Sequence, residues 1–262
     1  MQMMLSPDGT VDSPVQALAF LLVCTIGLAV GIKVLLRGGQ RLGPAGMLRQ
    51  FASADIVALV AIALLVPLNL VHHAYQPLAG VFRPEVGDGG LVENLTITVM
   101  LFPVILAVDR IRRRDRGSAF GPVSLLLVSL VLLLAFGEEI SWGQHWFGFE
   151  PPEAVARTNL QEEFNLHNYI TPSTMEWVYF AASLVLLVVA ARLGSLLESR
   201  DGDIVLMPLR ALIILSAVLM SHHIFQELAE LAMIATAFLI WNRLDDGRLT
   251  LRPGPLRVLA AL

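Results

Sequence analysis

VSLLLVSLVLLLAFGEEISWGQ, residues 123–144, joins an uncharged apolar run to two adjacent carboxylates. A helix of about 20 apolar residues is long enough to cross the hydrocarbon core of a membrane. A charged side chain at the centre of such a helix costs about 2.5–3.5 kcal/mol. The role of Glu138 and Glu139 therefore depends on where the membrane lies and on which groups these two carboxylates meet.

The composition of the whole chain agrees with this stretch. Of its 262 residues, 56% are hydrophobic and only 15% are charged, and the mean hydropathy is +0.70. Soluble domains carry roughly 25% charged residues. The chain is therefore predicted to be an all-α, polytopic bundle of transmembrane helices that forms one integral membrane domain over residues 1–262. The single cysteine, Cys24, excludes an intramolecular disulfide.

Seven apolar segments are predicted to cross the membrane. They cover about 15–36, 53–75, 91–109, 119–141, 174–194, 204–221 and 226–242. Only SHHIFQE separates the last two, so one long helix with a polar break is the alternative. The outer loop, 143–173, is the longest connection, and its PPEAVARTNLQEEF section could form a short helix lying on the membrane.

The basic residues predict the orientation of the chain. All of them except Arg83 and Arg157 fall in one set of connections and span ends, and such connections face the cytoplasm. The N-terminus is therefore expected outside and the C-terminus inside, which requires an odd number of spans. Lys33 is the only lysine among many arginines, which suggests a GC-rich bacterial genome. The expected location is the bacterial cytoplasmic (inner) membrane.

Histidines and glutamates gather on the predicted outer side. The histidines there are His72, His73, His145, His167, His222 and His223. The glutamates in the same layer are Glu93, Glu138, Glu139, Glu162, Glu163, Glu227 and Glu230. This distribution favours an outward-facing polar site. The plainer alternatives are that the histidines are ordinary interfacial side chains, that Glu138 and Glu139 mark the helix exit, and that Glu162 and Glu163 form a solvated face.

Helical spacing groups some of these side chains. Glu138, Ser141 and His145 follow i, i+3, i+7 and are expected to share a helical face, while Glu139 would point elsewhere, toward Trp142 or Trp146. His223, Glu227 and Glu230 follow i, i+4, i+7, and Glu163 and His167 follow i, i+4. Imidazole and carboxylate groups at such spacing suit zinc or iron. A divalent metal held by His167, His223 and Glu227 is therefore a candidate cofactor, although no complete metal motif is present.

GEEISWGQ (137–144) and NLHN (165–168) resemble a group of bacterial multi-pass membrane proteins that are mostly uncharacterised. DGGLVENLT (88–96) resembles the acidic opening of an earlier span in the same group. The resemblance implies site residues without implying a reaction. The catalytic candidates are Glu93, Glu138, Glu139, Ser141 and Gln144, the ligand-binding candidates are Asn165 and Asn168, and His167 is included as a site position. That group has a basic residue where this chain has His145, which argues against a metal role for His145.

Two other membrane families share part of the pattern. Intramembrane proteases of the CPBP type also carry a Glu-Glu pair on one helix, but an arginine follows four residues after the second glutamate. Gly143 stands at that position here. Metal hydrolases related to alkaline ceramidases agree in span number, but their histidine pattern is not present.

Three classes of function follow from an outward-facing Glu/His site. The first is a metal-dependent or acid–base enzyme that acts on a lipid or lipid-linked substrate. The second is an ion-coupled transporter that uses the same carboxylates, since acids inside membranes often mark ion paths. The third is a non-catalytic subunit of a larger membrane complex. The expected partners are the lipid bilayer and a lipid-linked substrate or another membrane protein, with no nucleic acid.

Overall fold

The computed structural model of the chain describes nine segments. They are residues 14–48, 53–74, 91–113, 122–160, 162–166, 169–199, 206–222, 225–245 and 247–251. The helices are α1 (Pro14–Leu48), α2 (Ser53–Ala74), α3 (Leu91–Arg113), α4 (Pro122–Glu139), α5 (Gln144–Phe147), α6 (Glu153–Ala156), α7 (Pro172–Leu196), α8 (Met207–Met220) and α9 (Gln226–Asp245). A 3-10 turn covers Ser141–Gly143, and two short strands are β1 (Leu197–Ser199) and β2 (Leu249–Leu251).

The all-α class is confirmed, and the seven long helices lie at the seven predicted segments. Three helices in the described part are long and apolar enough to cross a membrane, over Val15–Leu36, Asn94–Arg112 and Thr174–Leu196. Two shorter apolar stretches, Asp55–Asn69 and Met207–Met220, belong to α2 and α8. The last two segments form separate helices, because α8 ends at Met220 and α9 begins at Gln226. The alternative of one long helix is therefore wrong.

Helix α8 is the centre of the bundle. It packs against α1, α7 and α9, and more lightly against α2. Most of its side chains are buried, including Leu209, Leu212 and Ala217. Nine of its 14 residues are buried and Arg210 is its only charged side chain, as expected of a helix with neighbours on most sides. Helix α9 joins this centre to α2 and α3.

Side-chain contacts fix the relative directions of several helices. Gln16 of α1 contacts Glu176 of α7, and Tyr179 of α7 contacts Glu230 of α9. Helices α1, α7 and α9 therefore begin at the same end of the bundle, called the loop end below. The loop end also receives the end of α4 and the described residues that follow it, 140–160, 162–166 and 169–170, because Glu139 of α4 acts electrostatically on Tyr179.

The opposite end of the bundle holds a buried ion pair. Arg243, near the end of α9, donates a hydrogen bond to Asp55, in the first turn of α2. Both side chains are almost fully excluded from solvent. Strands β1 and β2 pair antiparallel just beyond the ends of α7 and α9, with Leu197 opposite Leu251. This strand pair was not predicted, since three-residue strands leave no readable alternation in the sequence.

Helix α4 is peripheral and carries an exposed apolar face. It packs chiefly against α3, while Leu126, Leu130 and Leu134 are exposed. Helix α1 presents a similar face through Leu18 and Leu28. Soluble proteins rarely leave such large apolar areas uncovered, so these faces fit contact with lipid.

Candidate functional site: a polar clamp and a neighbouring groove

The chain leaves α4 through a left-handed turn. Ser141, Trp142 and Gly143 have φ values of 46°, 53° and 83°, although only glycine adopts this region without steric cost. The expected continuous face of Glu138, Ser141 and His145 is therefore wrong, because the helix ends at Glu139 and the chain reverses its local hand. The turn directs Ser141 toward the loop that follows.

Glu138 binds two separate groups at this turn. Its Oε1 accepts a hydrogen bond from the Trp142 indole nitrogen at 2.8 Å. Its Oε2 accepts one from the backbone N–H of Leu166 at 2.5 Å. The expected direction of Glu139, toward Trp142 or Trp146, stays a prediction. Hydrogen bonds to a carboxylate are stronger than neutral ones, so Glu138 ties the end of α4 to the far side of the loop.

Ser141, Glu163 and Asn165 meet beside this carboxylate. The Ser141 hydroxyl donates to Glu163 Oε2 at 3.1 Å. The Asn165 amide donates to Ser141 Oγ at 3.0 Å and to Glu163 Oε2 at 2.7 Å. Asn159 donates to the backbone carbonyl of Asn165 at 2.9 Å. Each of these side chains forms a hydrogen bond with another of them, as buried polar groups generally do.

Gln144 completes the set by forming hydrogen bonds with the loop backbone. Its Oε1 accepts from the N–H of Phe164 at 2.7 Å, and its Nε2 reaches the carbonyl of Glu162 at 3.5 Å. Glu162 itself has a positive φ of 58°. The six side chains that hold the loop in this way are called the polar clamp: Glu138, Ser141, Gln144, Asn159, Glu163 and Asn165.

Two glycines are required by close packing around the clamp. A Cβ on Gly137 would lie 2.9 Å from the Trp142 ring, and a Cβ on Gly143 would lie 2.8 Å from the Phe147 ring. Real Cβ contacts are essentially never this short. The φ of 83° at Gly143 adds backbone strain for any other residue.

A second polar contact crosses three helices next to the clamp. The Tyr179 hydroxyl of α7 donates to Glu230 Oε1 of α9 at 2.9 Å. Glu139 lies close enough to act electrostatically on the same hydroxyl. All three side chains are half-buried. Two carboxylates around one hydroxyl form an arrangement that can take up and release a proton.

An open groove lies at the start of α7, about one helical turn from Tyr179. It contains about 410 Å³ of empty space, part of it open to solvent, between α1, α7, α8 and α9. Its lining residues are Gln16, Ala19, Glu176, Trp177, Phe180, Met220, Ser221, His222 and Gln226. Gln16 donates a hydrogen bond to Glu176. The rings of Trp177 and Phe180 meet edge to face with centroids 5.8 Å apart.

The predicted site residues separate into three groups. Glu138, Ser141, Gln144 and Asn165 come together in the clamp, and Glu139 joins Tyr179 and Glu230. Glu227 is half-buried in the first turn of α9. His167, Asn168 and His223 lie outside the described residues, as does the side chain of Glu93.

Sequence reasoning missed several residues that carry these contacts. Asn159 looked like an ordinary loop residue, yet it is buried in the clamp. Tyr179 was not selected, although a hydroxyl inside an apolar helix needs a partner and was a readable signal. Gln16 and Glu176 were also missed, because the contact that joins them spans 160 positions of the sequence.

Of the three predicted metal ligands, the structure describes only Glu227. Within the described residues, no group of three or more histidine, cysteine, aspartate or glutamate side chains is placed to hold a metal ion. The other two predicted ligands, His167 and His223, are not among those residues. Zinc or iron binding therefore stays a prediction.

The chain matches no protein family model, no curated protein and no solved structure. The resemblance carried by GEEISWGQ and NLHN stays an expectation. Function must therefore be argued from the chemistry of the site and not from the fold.

Proposed function

We propose that this chain is a multi-pass protein of the bacterial inner membrane with seven spans and with its N-terminus outside. In this proposal the loop end faces outward and carries an acid–base site that acts on a lipid or lipid-linked substrate. The motif resemblance to bacterial membrane proteins and the arginine asymmetry support the location and the orientation. The arrangement of helix directions supports an odd number of spans, since α1 and α9 begin at the same end.

The contact between Tyr179 and Glu230 is the observation that carries the acid–base proposal. It joins a hydroxyl to a carboxylate in the half-buried layer between α7 and α9. Glu139 is also in electrostatic range of the same hydroxyl, so this layer brings two carboxylates near Tyr179. Glu230 and Glu139 are the proposed acid–base pair, and Tyr179 orients Glu230. Proton transfer by a positioned side chain contributes typically about 10²–10⁴-fold to a reaction rate.

The side chains that line the groove are suited to binding an amphiphilic ligand. Glu176, His222 and Gln226 offer polar contacts, while Trp177 and Phe180 offer aromatic walls. Binding sites for small molecules commonly combine apolar walls with a few convergent polar groups. A lipid headgroup in the groove would leave its acyl chains beside the exposed apolar face of α1.

The clamp has a positioning role in this proposal. Glu138, Ser141 and Gln144 hydrogen-bond to other parts of the loop, and Glu138 is adjacent to Glu139 in sequence. Fixing the end of α4 through Glu138 therefore fixes the backbone that carries Glu139. We propose that these motif residues act through the position of Glu139 and that Asn165 completes their support.

The test uses purified protein in nanodiscs that contain a total bacterial lipid extract. Lipid mass spectrometry over time is expected to reveal one lipid species that the wild type consumes. Glu230→Gln should abolish this turnover. Tyr179→Phe should lower the rate of turnover and change its pH profile. Glu153→Gln is the matched control, since its carboxylate is exposed and pairs only with Arg157 among the contacts described. Turnover that survives Glu230→Gln unchanged would refute the acid–base assignment.

An ion-coupled carrier is the second candidate, favoured by the same contact. A carboxylate, a hydroxyl and a second carboxylate across three helices could also relay protons through an apolar bundle. Proteoliposomes that show proton-dependent uptake and no lipid turnover would select the carrier. Co-purification with another protein, together with tolerance of Glu139→Gln and Glu230→Gln, would select the non-catalytic subunit.

The proposed divalent metal has its own test. Metal analysis of the purified protein is expected to find zinc or iron in stoichiometric amount if His167, His223 and Glu227 are ligands. Glu227→Ala should then lower the metal content, while Glu162→Ala should not. Equal metal content in both variants would remove Glu227 from the ligand set.

A further inference from the structure

The outer loop buries several polar side chains and exposes several large apolar ones, beside the exposed charged side chains of Glu150, Glu153, Arg157 and Glu162. Ser141, Asn159 and Asn165 of the clamp are buried, with relative exposures of 1%, 5% and 3%. Apolar side chains of the same loop are exposed instead. These are called the apolar rim: Phe147, Phe149, Leu160, Phe164 and Leu166. Phe147 and Leu166 are the most exposed, at 79% and 72%.

The exposed apolar set is unusual for a loop in water. Loops on soluble surfaces expose polar groups, and burial of a polar group is unfavourable unless it finds a hydrogen bond. Each exposed phenylalanine or leucine side chain forgoes about 1.5–3 kcal/mol that burial would supply. A segment that presents large apolar side chains beside exposed charged ones is suited to the interface between lipid and water.

Hydrogen bonds from the clamp fix the backbone that carries the exposed apolar side chains. Glu138 and Gln144 bind the backbone N–H groups of Leu166 and Phe164, so two rim residues are fixed directly by the clamp. The rings of Phe149 and Phe164 also meet edge to face, with centroids 6.3 Å apart. The clamp therefore orders the backbone that presents the rim.

We propose that the apolar rim inserts into the outer leaflet of the lipid bilayer and anchors the loop end at the membrane interface. Continuity supports lipid over a protein partner: the rim follows the end of α4 in the chain, and α4 presents exposed leucines. Phenylalanine with nearby Trp142 and Tyr169 also fits the aromatic composition of membrane interfaces. The inference requires the chain to lie in a membrane, and it does not depend on the acid–base site.

Spin labels can locate the rim relative to the membrane. In a Cys24→Ser background, single labels would be placed with Phe147→Cys, Leu166→Cys and, as control, Glu153→Cys. All three native side chains are exposed, so the labels leave the buried clamp intact. Each protein would be reconstituted in nanodiscs of zwitterionic lipid, where collisions with oxygen report lipid and collisions with a water-soluble nickel chelate report water.

The expected result is a ratio of oxygen to nickel collisions that is several-fold higher at positions 147 and 166 than at position 153. Nickel accessibility at 147 and 166 equal to that at 153 would overturn the proposal. Labels at 147 and 166 that are shielded from both reagents in native membranes but reach nickel in nanodiscs would also overturn it, in favour of a protein partner.

Discussion

The two ends of the bundle bury polar groups in different ways. At the loop end, Ser141, Asn159, Glu163 and Asn165 share a hydrogen-bond network, while Glu138 and Gln144 bind the backbone of the same loop, all within 28 positions of one another. At the opposite end, one ion pair joins Asp55 and Arg243, which are 188 positions apart. The first arrangement shapes one loop, and the second holds two helices that are distant in sequence. Removing a group should therefore disturb the conformation of the loop in one case and the assembly of the bundle in the other.

The largest effect is expected at the ion pair. Arg243→Ala leaves the buried Asp55 carboxylate without its cation, and breaking a buried pair on one side costs about 3–5 kcal/mol. The free energy of unfolding in detergent should fall by about this amount, measured by titration with a denaturing detergent. The double variant Asp55→Leu with Arg243→Met should recover most of the loss, because apolar residues can replace a buried pair. Equal losses in the single and double variants would contradict the account.

A smaller effect is expected from the left-handed turn. Gly143→Ala meets both an unfavourable φ and the Phe147 ring, whereas Gly148→Ala meets an unfavourable φ of 62° in open space. Backbone strain alone is worth about 1–2 kcal/mol, so Gly143→Ala should destabilise the loop more than Gly148→Ala. Limited proteolysis between positions 150 and 170 would compare them. Faster cleavage of the Gly148→Ala variant would show that the contact with Phe147 is unimportant.

Substitution of a clamp residue should have a still smaller effect, confined to the loop. Glu138→Gln keeps an oxygen that can accept one hydrogen bond but loses the charge and the second acceptor. Hydrogen bonds to charged groups contribute about 1.5–3 kcal/mol when fully buried, and the half-exposed position of Glu138 should reduce the loss below that range. Trp142 fluorescence should change, and loop proteolysis should accelerate. The control Glu153→Gln should change neither, because exposed ion pairs contribute little. An unchanged Trp142 signal in the Glu138→Gln variant would contradict the contact.

The sequence predicted the helices well and the turn at Glu139 poorly, for a physical reason. Apolar runs such as Val123–Phe136 determine where helices form, and the structure describes a helix at each of the seven predicted runs. Helix α1 nevertheless continues to Leu48, past the predicted end at position 36. Spacing rules assume that the helix continues, so they placed Ser141 and His145 on one face with Glu138. Gly143 was the available signal for a left-handed turn, yet the positive φ of Ser141 and Trp142 depends on contacts with the loop.

Contacts between distant segments were beyond sequence reasoning. Ser141 and Asn165 were both selected as site positions through the resemblance, but their contact was not predicted. Tyr179 and Glu230, which lie 51 positions apart, share no motif, and neither do Asp55 and Arg243. Such pairs follow from how the helices pack, which one sequence does not encode in a local pattern.

Cysteine labelling in intact cells tests the central claim, that the loop end faces outward, most directly. Glu150→Cys would report the outer loop and Asp115→Cys the connection between α3 and α4, both in a Cys24→Ser background. A label at Asn159 would disturb the clamp, because that side chain is buried. A membrane-impermeant thiol reagent should label the Glu150→Cys variant at once and the Asp115→Cys variant only after permeabilisation. Labelling of Asp115→Cys but not Glu150→Cys in intact cells would contradict the account.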